Sequence, residues 1–397
     1  MIIIIIVKRL QRVSTSNMGD LSNEKSSIND SPFAQSDFRF VRGVNMYDGS
    51  LLLIEPEVES WMHPVDHIST PGNVSPAVIK QQAEAAHPGF SADRIEYPNN
   101  DSFYHVHLVQ ASGGKENFTV YADPGTGETF GRVQTERLEP FATIYQLHRY
   151  FLLTSVIGKI PAASVVGILG IALILMLVSG IYLWWPGLRK LANGFRVVLK
   201  RGKLLKHMSL HKTIGILSIP FLLVLALTGT LNAFEKSIPT WVGFKAKEEI
   251  PATALQSKSK DAAALPLDRA VEIVKESYPG SQLIKIQIPQ KAGQSYQFGL
   301  KEGFAASQGS NSTVYMDAAT GSVLYKTNPN LAINFYNAWR KGLHFATWGG
   351  EPLKIISFFF GMTPLVLMIT GLFIWRIKAN ARKRSRTKTA ADSVAAA

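Results

Sequence analysis

Residues 210–231 read LHKTIGILSIPFLLVLALTGTL, in which a Leu-His pair stands at the start of an apolar run that ends in Leu-Thr-Gly-Thr-Leu. The same Leu-His pair recurs at residues 147–148 and 343–344. Each of these copies precedes a further apolar run, and the runs close on VSGIYLWW (178–185) and ITGLFIW (369–375). The three histidines at the ends of apolar runs are therefore the first candidates for functional residues.

The apolar runs predict membrane-spanning helices, because each holds at least 21 residues without a charged side chain and about 20 suffice to cross a bilayer. Pro220 and Pro364 are compatible with such helices, since neighbouring helices satisfy the freed carbonyl groups. Helices buried in a large soluble core are the alternative, which the basic flanking segments disfavour. The predicted spans are 160–185, 213–234 and 355–375.

The net charge of +13 is concentrated in two segments. Residues 186–212 contain eight Lys or Arg and no acid, and the tail after Trp375 contains seven against one Asp. The rest is close to neutral, with 27 basic and 28 acidic residues, which argues against a nucleic-acid-binding surface. Basic blocks beside apolar runs indicate cytoplasmic segments, so the parts around 49–140 and 235–330 are expected on the opposite face.

The residue types restrict the possible chemistry. The chain has no cysteine, which excludes disulfides, thiolate catalysis and Cys-ligated metals and leaves His as the strongest metal ligand. It carries no catalytic triad, Gly-rich phosphate loop or HExxH pattern. The GILG at residues 167–170 is a weak helix-packing signal. If the protein is an enzyme, its chemistry would therefore be that of a cofactor.

A small α+β unit occurs twice outside the apolar runs. An amphipathic helix ends at a Pro-Gly pair, strands follow, and the closing turns VYADPGTGE (120–128) and VYMDAATGS (314–322) are visibly alike. The predicted fold is an α+β membrane protein with three spanning helices and two small extracytoplasmic domains. The predicted helices are 76–87 and 266–278, and the predicted strands are 93–97, 102–109, 117–122, 283–288, 296–301 and 312–316.

The N-terminal part departs from this repeat. The second span closes on Gly229, which is followed by an acid six residues later (Glu235) and a Trp twelve residues later (Trp241), and the same spacing recurs as Gly49, Glu55 and Trp61. The repeat thus predicts a spanning helix before Gly49, but the preceding stretch is polar, and the apolar run at 2–7 is too short to span. We expect disorder at 14–40 and loss of a first helix by a frameshift or a wrong start, which sequencing the upstream DNA would test.

The duplicated halves predict that His148 and His344 face one another on the extracytoplasmic side. Two imidazoles on opposite sides of a metal are what a six-coordinate haem iron requires, and the flanking aromatic residues suit a flat apolar macrocycle. His211 lies at the cytoplasmic end, with His207 as a lower-ranked ligand one turn before it. A polar anchor at the membrane interface remains the alternative for each one. His105 and His107 share a strand face and are interpreted as surface residues, too few for a zinc site.

The two repeated modules, together with residues 210–231 and the stretch LHFATWGGEPLKIISFFFGMTPLVLMITGLFIW (343–375), resemble the PepSY-associated transmembrane (PepSY_TM) family. That family includes iron-regulated membrane proteins and haem-containing siderophore reductases, and the resemblance runs from about Gly49 to Arg376. It implies four spanning helices in a bacterial inner membrane, with periplasmic PepSY domains after the first and third. His148, His344 and His211 fall on the family's helix-associated histidines, which implies axial ligands of haem b. The chain departs from the family in lacking the first helix and its His.

The resemblance also implies a function. It is that of a membrane haem protein that passes electrons across the bilayer, from quinol or a cytoplasmic flavoprotein, to reduce a ferric siderophore during iron uptake. The alternative is a non-enzymatic membrane protein that binds or inhibits an extracytoplasmic peptidase. A small-solute transporter is disfavoured, because the spans carry no charge.

The sequence therefore predicts that the chain is divided into ten segments. They are an atypical N-terminus (1–48), the first PepSY-like domain (49–140), an interfacial segment (141–159), a spanning helix (160–185), a basic cytoplasmic loop (186–212), a spanning helix (213–234), the second PepSY-like domain (235–330), an interfacial segment (331–354), a spanning helix (355–375) and a basic cytoplasmic tail (376–397).

Overall fold

The computed structural model describes residues 48–395, except for 63–64, 66, 99–101, 134–135, 236, 244, 246, 259–261 and 303–310. The described residues belong to one compact unit. The expected disorder at 14–40 lies outside them.

The chain contains two similar series, in each of which an amphipathic helix is followed by four strands and then by further helices. Residues 48–53 are helical. The helices are α1 (Glu55–Met62), α2 (Pro76–Ala86), α3 (Glu139–Tyr150), α4 (Thr154–Ile157), α5 (Lys159–Trp184), α6 (Leu191–Gly194), α7 (Lys203–Ala233), α8 (Ser237–Trp241), α9 (Leu267–Ser277), α10 (Ala332–His344) and α11 (Gly350–Ala395). The strands are β1 (Phe90–Glu96), β2 (Tyr104–Gln110), β3 (Asn117–Ala122), β4 (Thr129–Phe130), β5 (Gln282–Gln287), β6 (Tyr296–Lys301), β7 (Asn311–Met316) and β8 (Val323–Lys326).

Three of the described helices, α5, α7 and α11, are long and apolar enough to cross a membrane. The prediction of an α+β membrane protein is thereby confirmed. Helix α7 lies in the middle and packs against both α5 and α11. Small residues bring α5 close to α7, because a Cβ added at Gly170 would overlap the Thr230 hydroxyl and one added at Gly167 would overlap the Phe234 ring. The GILG pattern thus marks a real helix contact.

The spanning helices extend beyond the apolar runs. Helix α7 begins at Lys203, ten residues before the predicted start, and α11 is 46 residues long, from Gly350 to Ala395. A run without charged residues predicts only the part of a helix that fits inside the bilayer. The ends of the helix depend on helix propensity, and the flanking Lys, Leu, Arg and Ala residues favour a helix. His207 and His211 therefore lie within α7 rather than in a loop or at the start of a helix.

The strands form a single antiparallel sheet of eight strands in the order β4-β3-β2-β1-β5-β6-β7-β8. Its two halves are the two repeats, and they meet where β1 pairs with β5 through Arg94–Gln287, Ile95–Ile286 and Glu96–Lys285. The sequence indicates two small domains, and the structure joins them edge to edge. Neither β4 nor β8, the two short edge strands, is predicted from the sequence.

Helices α2 and α9 cover one face of this sheet. Helix α9 buries Leu267, Ala270, Val271 and Val274, the spacing of one helix face, in the same cluster as the strand residue Phe298. That cluster also contains residues of α2 and of β1 to β3. The two repeats therefore share one hydrophobic core.

The two repeated turns have the same structure because each is built around a buried aspartate. The carboxylate of Asp123 accepts the N–H groups of Thr70, Gly125 and Thr126, and Asp317 accepts those of Lys258, Ala319 and Thr320. Burial opposes ionisation, but the donated hydrogen bonds outweigh it and lower the pKa of both aspartates to about 2.

Candidate metal centre

The structure brings His148 and His344 together. His148 lies near the end of α3, and His344 is the last residue of α10. Their ring centroids are 6.1 Å apart, and the ring planes are inclined by 27°.

Each ring is held at Nδ1 by the polar residue that precedes a repeated glycine. Nδ1 of His148 lies 2.8 Å from Oδ1 of the buried Asp48, which precedes Gly49. Nδ1 of His344 lies 3.2 Å from Oγ1 of Thr228, which precedes Gly229. Such bonds orient an imidazole for binding a metal through Nε2.

The hydrogen-bond partners also determine the tautomer of His344. The Thr228 hydroxyl has one hydrogen, which it donates to the carbonyl of Val224 at 2.7 Å. Oγ1 of Thr228 must then accept a hydrogen bond from the Nδ1–H of His344. The carboxylate of Asp48 can only accept, so His148 likewise carries its hydrogen on Nδ1. Both rings present an Nε2 lone pair.

The glycines make room for the rings. A Cβ at position 49 would lie 2.7 Å from Cε1 of His148, and one at position 229 would lie 3.0 Å from Cε1 of His344. A side chain at position 49 would displace the imidazole of His148, and one at position 229 would require the His344 ring to shift by a few tenths of an ångström.

The surroundings of His344 keep it neutral. Removal from water lowers its pKa to about 3, and the nearby His148 and Arg149 act in the same direction. A neutral imidazole is the form that binds metals.

The distance between the rings fits a shared metal ion. A metal between two opposed imidazoles places their centroids roughly 6 Å apart, since each metal–nitrogen bond is about 2 Å long. No group of three or more His, Asp or Glu that could hold a metal occurs among the described residues. Two histidines alone suit a metal whose other ligands come from a macrocycle, as in haem.

The sequence matches the family of the PepSY-associated TM region over residues 45–378. The chain belongs to this family. A comparison with curated proteins gives no match. The predicted resemblance is thus confirmed at the level of the family.

His211 of this PepSY-associated TM protein lies far from the other two histidines. It is 17 residues before Thr228 on α7, which is about 25 Å along the helix. Its Nδ1 lies 2.9 Å from Oγ1 of Thr370, which donates to the Val366 carbonyl at 2.8 Å and precedes Gly371. The His211 ring therefore has the same anchor as His344.

His207 has different surroundings. Its ring stacks on Phe373 with centroids 4.8 Å apart, and its buried Nδ1 has no hydrogen-bond partner within the described part of the chain. His211 is therefore the better anchored of the two.

His105 and His107 lie on β2 of the sheet, as predicted, but neither is fully exposed. Nδ1 of His107 lies 2.5 Å from Oδ1 of Asp93, and the His105 ring packs edge-on against Tyr121. Both side chains therefore make these contacts within the sheet and do not belong to the His148–His344 site.

Sequence reasoning missed the residues that hold the rings. Asp48, Thr228 and Thr370 each directly precede a glycine, and the glycines after Asp48 and Thr228 belong to the repeated pattern, so the polar-Gly pair is the signal that could have identified them. It also missed Arg149 and Arg340, which lie close to the histidine pair. Their signal is the repeated acid Glu235, to which both arginines bind.

Proposed function

We propose that this protein is a haem b-dependent membrane reductase that passes electrons across the bacterial inner membrane to a ferric siderophore during iron uptake. The observation that carries the proposal is the pair of imidazoles of His148 and His344, whose ring centroids lie 6.1 Å apart and whose Nδ1 atoms are each within hydrogen-bond distance of an anchoring side chain. Family membership supports the proposal but does not extend to substrate or cofactor.

The residues of the chain would hold and shield the group. Asp48 and Thr228 fix the two rings, and the glycines beside them set how closely the rings approach the helices. Haem, when bound, would supply one-electron chemistry between Fe(III) and Fe(II).

His211 would serve a second site toward the other membrane face. The hydrocarbon core is about 30 Å thick, and the separation along α7 of about 25 Å is of the same order. We expect the basic segment before α7 to face the cytoplasm, where quinol or a flavoprotein donates electrons. One electron converts the siderophore-bound Fe(III) to Fe(II), which hard oxygen ligands bind less strongly, so the iron is released.

A vesicle assay tests the proposal. The protein is reconstituted with a membrane-impermeant reductant enclosed, and a ferric siderophore with an Fe(II) chelator is added outside. We expect coloured Fe(II) chelate to form with the unaltered protein and with His105→Ala, but not with His344→Ala. Equal rates in protein-free vesicles would contradict the proposal. A folded but haem-free protein would instead favour the peptidase-binding alternative.

A further inference from the structure

Two arginines flank the histidine pair. Arg149 directly follows His148 on α3, and Arg340 precedes His344 by four residues and so lies on the same face of α10. The positive charge of this pair therefore lies beside the candidate metal centre.

Both arginines bind the end of α7. Arg149 donates to the Asn232 carbonyl at 3.1 Å and to Glu235 at 3.3 Å. Arg340 donates to Glu235 at 3.5 Å and also to the side-chain oxygen of Asn232. Thr228, which anchors His344, is one turn before Asn232, so one face of α7 connects the ring to the arginines.

The charges of this network do not balance. Among the described residues, the two guanidinium groups form ion pairs with one carboxylate, that of Glu235, which leaves one net positive charge on these three side chains. Arg340 is only 3% exposed, and burial lowers the pKa of its guanidinium. Because arginine does not deprotonate in proteins, a further negative charge at this place would offset the cost of the buried guanidinium.

The network also contains donors without acceptors. Nε of Arg340, Nδ2 of Asn232 and the hydroxyl of Tyr336 are buried and have no hydrogen-bond partner among the described residues. All three can donate. Tyr336 belongs to the same cluster, since the Arg340 guanidinium lies 5.7 Å from the centre of its ring. Uncharged water could accept these hydrogen bonds, but it would leave the excess charge uncompensated.

We propose that Arg340, with Arg149, Asn232 and Tyr336, forms a carboxylate-binding site one helical turn from His344, and that it binds a propionate of the porphyrin held between the two histidines. A carboxylate matches the planar arginine fork and supplies the missing negative charge. The identity of the carboxylate rests on the proposed function, whereas the charge imbalance does not.

The test measures porphyrin binding by the full chain in detergent. Ferric protoporphyrin and metal-free protoporphyrin are each titrated as the free acid and as the neutral dimethyl ester, and binding is followed by absorption and by fluorescence. We expect the free acid to bind about tenfold more tightly than the ester. Arg340→Gln should remove this preference and Arg149→Gln should reduce it, whereas Arg269→Gln, an exposed control on α9, should retain it.

The outcomes separate the two proposals. Equal binding of acid and ester by the unaltered protein would overturn the carboxylate site, and this comparison needs no variant. A loss of acid and ester binding to the same extent in a folded Arg340→Gln would also overturn it, since that indicates a structural role. If the acid preference persists with metal-free porphyrin but iron adds no affinity, the carboxylate site stands and the haem proposal fails.

Discussion

At the residue scale, the three anchored histidines differ in the group that accepts the Nδ1 hydrogen. Thr370 and Thr228 offer a neutral hydroxyl to His211 and His344, whereas Asp48 offers a carboxylate to His148. A carboxylate makes the imidazole a stronger electron donor and so stabilises a higher oxidation state of a bound metal. As ligands of a shared metal, His148 and His344 would therefore be unequal.

Asp48→Thr tests this inequality. We expect the variant to retain haem and to have a midpoint potential higher by tens of millivolts, because the weaker donor stabilises Fe(III) less. A spectroscopic redox titration measures the shift, with Asp48→Asn as a second neutral acceptor. A potential that is unchanged or lower in both variants would contradict the assigned role of Asp48.

Gly229→Ala tests the close contact with His344. The added Cβ would lie 3.0 Å from Cε1 of the ring, so we expect the ring to shift and haem content to fall severalfold. Gly215→Ala on the same helix is the matched control, since its Cβ meets only Leu367 at 3.7 Å. Both changes increase helix propensity by about 1 kcal/mol. Equal haem content in the two variants would refute the contact.

The sequence indicated the histidine pair but not its anchors. Repetition was sufficient to pair His148 with His344, because equivalent positions in duplicated halves tend to meet. Asp48 and Thr228 were not predicted, since a hydrogen bond between two helices depends on their rotation and register. Arg340 was missed for the same reason, since its partners Asn232 and Glu235 lie more than 100 residues away.

At the element scale, α7 is the central helix of the membrane-spanning part. It packs against α5 and α11 and carries His211, Thr228 and Asn232 along its length. The length of the apolar runs predicted the three spans. Their extensions were not predicted, because charged residues beyond the bilayer can remain helical.

Gly170→Val tests the packing of α5 on α7. The side chain would overlap the Thr230 hydroxyl, so we expect a loss of about 1–3 kcal/mol in stability. Unfolding in mixed micelles, followed by circular dichroism, measures it. Gly180→Val is the control, because a Cβ there meets only Ile219 at 3.9 Å. The contact is refuted if both variants unfold alike.

At the scale of the whole molecule, the two repeats form one sheet and one core. The sequence indicated the repeats through their matching turns and helices. It did not indicate the pairing of β1 with β5, since the edge of each repeat carries no signal for its partner. Because the two repeats share one core, a destabilising substitution in either repeat should lower the stability of both.

Asp123→Ala and Asp317→Ala test this coupling. Each removes an acceptor of three N–H groups, and we expect a loss of about 2–4 kcal/mol. Thermal circular dichroism should give a single transition of the sheet at a lower temperature in either variant. Two separate transitions, with one unchanged, would mean that the repeats unfold independently.

The same aspartates predict a pH dependence. Their folded pKa of about 2 lies below the ordinary value of 3.8, so their ionised forms stabilise the fold above pH 3.8. This contribution is lost as the pH falls from 3.8 toward 2. Asp123→Asn should keep the turn but flatten the decline in melting temperature over that range, and an unaltered slope would contradict the assignment.

The central claim is that His148 and His344 hold one haem between them, and an absorption spectrum tests it most directly. The full chain is purified in detergent from a haem-replete host, and its spectrum is recorded oxidised and reduced. We predict a low-spin Soret band that shifts on reduction, is lost or greatly weakened in His148→Ala and His344→Ala, and persists in His105→Ala. A folded, colourless protein, or a Soret band unaffected by both histidine substitutions, would contradict the claim.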